Sequence, residues 1–175
     1  PDALPQSLAG EKRRHRILLI DQRAGDASIA GALASDENFR RMLETAFGKA
    51  DAEVVVKIHP DALCPGKSSA ISPSLSAYEG NERLTIVSEG VNPYTLFSAV
   101  DEVYVVASGM GFEALMAGKP VTCFGVPYYA GWGVTTDMVD VPRRTQRRTV
   151  EDIFFVSWMR LSRYVDPKTR RLVSV

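Results

Sequence analysis

Cysteine is scarce in this 175-residue chain. Cys64 and Cys123 are the only two, too few for a disulfide framework, and neither has the neighbouring Cys or His that a structural zinc site requires. Reduced thiols in a cytoplasmic setting are the expectation, with no metal site. Long hydrophobic runs are missing as well: no stretch approaches the roughly 18 apolar residues of a membrane-spanning helix, and the first ten residues lack the pattern of a signal peptide. Neither sign of charge is in excess, since 21 basic side chains balance 21 acidic ones. That argues against a nucleic-acid partner, which needs a basic footprint. Glycine (13) and proline (10) stand at ordinary levels, so fibrous and disordered classes drop out. The dinucleotide fingerprint G-x-G-x-x-G is absent.

What is present describes an ordinary globular domain, 45% hydrophobic and 24% charged, long enough for one core and too short for two. The chain opens at Pro1 and not at Met, as a piece of something longer would. Residues 1–15, closing on the basic cluster Lys12-Arg13-Arg14-His15 before Arg16, are expected to be a loose, solvated lead-in. Ile17-Leu18-Leu19-Ile20 is an apolar run without polar alternation, which predicts a strand buried on both faces. A short helix over 27–34 follows, then a longer one over 36–50. In the longer helix Phe39, Met42, Leu43, Ala46 and Phe47 share one face, and Ser35 or Asp36 is the N-cap. Further strands are predicted at 54–58, 84–87, 103–106 and 121–124, with helices at 93–99, 112–117 and 150–164. Residues 61–80 and the aromatic, Gly-rich 125–133 read as loops. Strand and helix alternate, so the fold expected is α/β, a Rossmann-like open parallel sheet of about five strands with flanking helices over 16–167, followed by a tail at 168–175.

In such sheets ligands bind beyond the carboxyl ends of the strands. After the fourth strand, Ser108-Gly109-Met110-Gly111 leads into a helix. Its first amides and the Ser108 hydroxyl suit a phosphate, and Glu113 is placed for a sugar hydroxyl. A plain tight turn, with Glu113 balancing the helix dipole, explains the same residues. His59-Pro60 ends the second strand and aims an imidazole from a defined place, although a lone histidine is as readily structural. Asp21, Gln22 and Asp26 cluster after the first strand, where a carboxylate serves as nucleophile or base, or where Asp26 simply caps a helix with help from Ser28.

Taken together, Leu19 through Ile29, Lys57-Ile58-His59-Pro60, Asn92-Pro93-Tyr94, Val100 through Tyr104, Ser108 through Val121 and Phe124 through Gly133 follow one order. That order resembles the bacterial capsule polysaccharide β-Kdo glycosyltransferases of the KpsC type, over about residues 16–167. The resemblance implies the C-terminal, donor-binding half of a GT-B module that moves Kdo from CMP-Kdo to a lipid-linked acceptor with retention, the acceptor domain lying elsewhere. By the same resemblance Gln22-x-x-x-Asp26 is the catalytic loop, with Asp26 the nucleophile. Lys57, His59 and Pro60 attend the CMP phosphate, joined by Ser108, Gly109, Met110 and Gly111, with Glu113 on the ribose or cytosine side and Asp21 and Ser28 lining the site. No cofactor beyond the donor is implied, which agrees with the absence of a D-x-D motif. Peripheral association of the full-length protein with the inner face of the cytoplasmic membrane is a further implication. A non-catalytic nucleotide- or partner-binding module of capsule assembly or export is the alternative.

Overall fold

The computed structural model describes residues 3–9 and 14–173. Lys12 and Arg13 of the basic cluster lie outside the described residues. The chain runs β1 (His15–Ile20), α1 (Ala27–Gly31), α2 (Asp36–Gly48), β2 (Ala52–Lys57), α3 (Ser72–Leu75), β3 (Leu84–Val87), α4 (Pro93–Ser98), β4 (Glu102–Val105), α5 (Met110–Met116), β5 (Val121–Cys123), β6 (Thr136–Asp137), α6 (Val150–Phe154), β7 (Tyr164–Val165) and β8 (Leu172–Val173). Strands β1 to β6 form one sheet in the order β3-β2-β1-β4-β5-β6, with every neighbouring pair parallel. The fold is therefore a Rossmann-like α/β sheet with flanking helices.

The apolar run of β1 explains the two-sided architecture. Leu18 and Ile20 point into one core with Val103, Val105, Phe97 and Phe112. Ile17 and Leu19 point into the other, with Phe39, Met42 and Leu43 of α2. Successive strand side chains face opposite ways, so a strand covered by helices on both faces has no polar position to spare. Phe39, Met42, Leu43 and Ala46 are fully buried, and each of the three larger side chains contributes about 1.5–3 kcal/mol. Helix α2 starts at Ser35, whose backbone N–H donates to Asn38 Oδ1 at 2.9 Å. Asn38 Nδ2 in turn reaches Phe124 O at 2.6 Å, tying the helix to the end of β5.

Several expectations are corrected. The sheet has six strands, not about five, because β6 is only two residues long and too short to leave a pattern. Residues 61–80 are not wholly irregular: a 3-10 turn at Pro60–Leu63 and the short helix α3 fold within them. The lead-in is not loose throughout, since Gln6–Leu8 forms a 3-10 turn and Leu8 is 2% exposed in the core. Arg16 is buried beside it, its Nε 2.7 Å from Glu53 Oε2. The last helix turns π-helical over Phe155–Arg160, and residues 164–173 close an antiparallel hairpin.

Candidate functional site

The sheet winds in opposite directions from β1 and β4, which are neighbours. That leaves a crevice at their carboxyl ends with no crossover helix above it. A cavity of about 240 Å3 sits there, lined by Asp21, Lys57, His59, Pro60, Ser108 and Met110, all six expected from the sequence. Gly90, Val91 and Pro93 also line it; they belong to 88–93, the strand end after β3, where the rule places ligands, but none was singled out as a site residue. Their signal was Asn92-Pro93, since Asn92 Oδ1 accepts from Tyr94 N at 3.0 Å and fixes how that loop enters α4.

Asp21 forms the floor. It is 1% exposed, and its oxygens accept from His59 N and Ile71 N, each at 3.1 Å. The carboxylate thus braces the ends of β1 and β2 against the segment before α3, and is not the open nucleophile or base that the sequence allowed. Gln22 is likewise spent at both ends: Oε1 accepts from Ala107 N at 2.8 Å and Nε2 donates to Ser28 Oγ at 3.0 Å. It links the two sides of the crevice and positions Ser28. Ser28 N then donates to Asp26 Oδ1 at 2.8 Å, capping α1. These bonds from Ser28, with the charges of Arg23 and His59 nearby, hold the Asp26 carboxyl below its ordinary range. Asp26 is therefore an ionised, half-buried carboxylate at the end of a three-residue relay. Gly25, at φ 73, makes the turn that delivers it.

Lys57 is 6% exposed, and its Nζ donates to Ile58 O at 2.8 Å. Among the described residues no second acceptor meets it. Burial pulls its pKa down, against the opposing charges of Glu89 and Asp21. An ammonium held this way has two N–H groups left for an anion. His59 Nδ1 accepts from Asp61 N at 3.1 Å, which assigns the proton of the neutral ring to Nε2 and makes that nitrogen a donor.

The turn after β4 differs from expectation. Its amides are already engaged: Met110 N with Ser108 Oγ at 3.3 Å, Gly111 N with Ser108 O at 3.1 Å, and Phe112 N with Gly109 O at 2.9 Å. Gly111 is not there for a phosphate. A Cβ on it would lie 2.2 Å from Tyr129 Oη, so glycine is required by the buried tyrosine packed against it. Tyr129 is fully buried and donates to Ser108 O at 2.5 Å, which makes it a strut beneath the turn. Gly109 is exposed, with open space where its Cβ would be. Glu113 does not line the cavity. It faces Tyr128, whose phenol pKa is raised by burial and further by the Glu113 charge. Among the described residues no three His, Cys, Asp or Glu side chains gather to hold a metal ion, and no helix is long and apolar enough to cross a membrane.

Comparison with known proteins follows this geometry. The profile of the family described as "Capsule polysaccharide biosynthesis protein" matches residues 2–164. The chain is 38% identical over 170 residues to the capsule polysaccharide modification protein LipA of Neisseria meningitidis serogroup B, aligning with 93% of this chain and 23% of LipA. It is similar to the solved structure of Thermosulfurimonas dismutans KpsC, beta Kdo 2,4 transferase, at TM-score 0.86 and 36% identity, covering 99% of this chain and 53% of that one. The beta Kdo 2,7 transferase structure from the same KpsC matches at TM-score 0.72 and 28% identity, covering 94% of this chain and 51% of that one. The chain thus spans less than a quarter of LipA and about half of each solved KpsC chain.

Proposed function

The chain belongs to the capsule polysaccharide biosynthesis protein family, and from that premise we propose that it is the donor-binding half of a β-Kdo glycosyltransferase. In this reading it holds CMP-Kdo in the crevice between β1 and β4, and Kdo passes with retention to a lipid-linked acceptor held by a second domain. The likeness to two Kdo transferase structures supports the reaction class. The observation that carries the reading is Lys57, a buried ammonium with a single hydrogen bond, lining a cavity at the switch point beside a histidine that presents its Nε2–H. A phosphate completes both sets of donors.

Each residue then has a defined task. Lys57 and His59 Nε2–H bind the CMP phosphate and stabilise the charge that grows on it as the bond to the sugar breaks. The Ser108 hydroxyl adds a donor, releasing the long bond from Met110 N. The anomeric carbon of Kdo bears a carboxylate and passes through an oxocarbenium-like state. Asp26 attacks it from the face opposite the phosphate, CMP leaves with the bonding pair, and a glycosyl ester forms. The acceptor hydroxyl next attacks the anomeric carbon, the ester bond breaks to return the Asp26 carboxylate, and the hydroxyl proton passes to water, so two inversions give net retention. Gln22 and Ser28 position Asp26, and Asp21 holds the loop that carries His59. Without a second domain the 175-residue chain is expected to show little or no transfer.

A second reading, a nucleotide- or partner-binding module without turnover, is favoured by one observation: the bond from Ser28 N already gives Asp26 a complete role as an N-cap. Titration calorimetry bears on the donor site. CMP is expected to bind the chain in preference to UMP and GMP, and His59→Ala to weaken CMP by about 1.5–3 kcal/mol, the size of a charge-assisted hydrogen bond. Equal affinity for the three nucleotides, or an unaffected variant, contradicts the assignment.

A further inference from the structure

The chain after β1 folds into a fastened turn. Asp26 N donates to Arg23 O at 3.1 Å, closing a β-turn over Arg23, Ala24, Gly25 and Asp26, with the positive φ of Gly25 at its third position. The ends of such a turn lie within about 7 Å of each other at Cα, so Arg23 and Asp26 are neighbours beside the crevice. The segment before α3 secures the turn from the other side. Arg23 pairs with Ser69 in an antiparallel bridge, Ala24 N donates to Ser68 O at 2.8 Å, and Ala70 N donates to Gln22 O at 2.9 Å. A long side chain on this backbone starts from a fixed base.

Arg23 is half-buried, and among the described residues its guanidinium makes no hydrogen bond and no ion pair. Lys67 is engaged by Asp61 Oδ2 at 3.1 Å, and Lys57 is taken by the phosphate in the reading above. Five N–H donors therefore stand unused next to Asp26. Bonds from Ser28 lower the Asp26 carboxyl and a bond from Lys67 lowers that of Asp61, and the Arg23 charge adds to both.

We propose that Arg23 receives the carboxylate of the donor sugar and holds it in a two-point hydrogen-bonded pair while Asp26 attacks the adjacent carbon. This rests on the donor-site reading and adds to it the residue that recognises the sugar. The donor brings two negative charges, one on the phosphodiester and one on the carboxylate, and the attacking group is a third. Lys57 and His59 answer the first. Without another cation, Asp26 approaches a carbon whose own substituent repels it. A planar guanidinium matches a carboxylate with two parallel bonds, which fixes rotation about the bond to the anomeric carbon and presents one face of that carbon to Asp26. A sugar lacking the carboxylate leaves the guanidinium unpaired, so the same residue selects for acidic sugars.

The test is titration calorimetry, which needs neither acceptor nor turnover. The 175-residue chain and its Arg23→Gln variant are each titrated with three ligands: CMP, a hydrolysis-resistant phosphonate analogue of CMP-Kdo, and that analogue with hydroxymethyl in place of the carboxylate. The wild type should bind the carboxylate analogue about tenfold to 100-fold more tightly than the hydroxymethyl one, the size of a charge-assisted pair. Arg23→Gln should bind the two analogues alike and CMP as the wild type does, with circular dichroism unchanged because the side chain has no internal partner. Arg23→Lys should keep part of the preference, having the charge without the fork. A wild type that binds CMP but treats the two analogues alike overturns the Arg23 assignment and leaves the donor site standing. So does an Arg23→Gln chain that keeps the preference, or one that loses CMP to the same degree. A wild type that binds none of the three overturns both readings.

Discussion

The floor and the rim of the crevice use the same kinds of residue in opposite ways. On the floor, Asp21 and Gln22 are 1% and 4% exposed with their polar atoms engaged, and Tyr129 and Gly111 interlock beneath the Ser108 turn. On the rim, His59 keeps Nε2 and Lys57 keeps two N–H groups, and Asp26, which does not itself line the cavity, keeps one carboxylate oxygen outside its cap bond. A polar group whose partners are all internal contributes to stability, and one with unused capacity is available to a ligand. The comparison therefore separates residues whose loss costs folding from residues whose loss costs binding or chemistry.

The largest stability effect is expected at Asp21. Asp21→Ala leaves two backbone amides without an acceptor and should destabilise the chain by about 3–5 kcal/mol in denaturant unfolding, a large share of a domain's stability. A loss below about 1 kcal/mol would erase the floor from the comparison. Gly111→Ala comes next, at about 1–3 kcal/mol, because the new methyl group meets Tyr129. In the double variant Gly111→Ala/Tyr129→Phe that cost should shrink, since the oxygen nearest the methyl is gone.

Lys57→Met reverses the sign. Burial lowers the Lys57 pKa below its ordinary 10.5, so the unfolded chain binds more protons just below that pH, and stability rises as pH climbs toward 10.5. The Met variant should therefore be the more stable at neutral pH and lose its advantage in alkali. CMP affinity should fall about tenfold to 100-fold. A variant that is less stable at neutral pH, or one that binds CMP normally, places Lys57 on the floor.

The smallest effect belongs to Asp26. Asn caps a helix about as well as Asp, so Asp26→Asn should change stability by less than about 0.5 kcal/mol at neutral pH. The depressed pKa of Asp26 gives the wild type a contribution that is complete above its ordinary 3.8 and fades as pH falls through the lower folded value. The variant lacks that acid-dependent step, which comparison of unfolding curves down to about pH 2 would reveal.

The sheet was legible because β1, β2 and β4 each carry a run of consecutive apolar residues, and five lining residues followed from the rule that ligands meet strand ends, with Lys57 added by the resemblance. Less legible was which polar residues are spent internally. Nothing local distinguishes Asp21 from Asp26, five residues apart; the difference lies in Ile71 and His59, brought over by the chain after β2. Gly111 misled for the same reason, since its partner Tyr129 is eighteen positions away. The strand β6 and the fold of 61–80 were hidden because their segments are too short for a period.

The account stands most directly on Asp26 as the nucleophile. A chain joining this half to an acceptor half, mixed with CMP-Kdo in the absence of acceptor and digested with trypsin, should yield a Kdo ester on the Ala24–Arg40 peptide, localised to Asp26 by fragmentation. Asp26→Asn should fold, bind CMP, show no adduct and lose transfer by about 1,000-fold or more. An adduct on another carboxylate, or an Asp26→Asn enzyme that still transfers Kdo at wild-type rate, would contradict it.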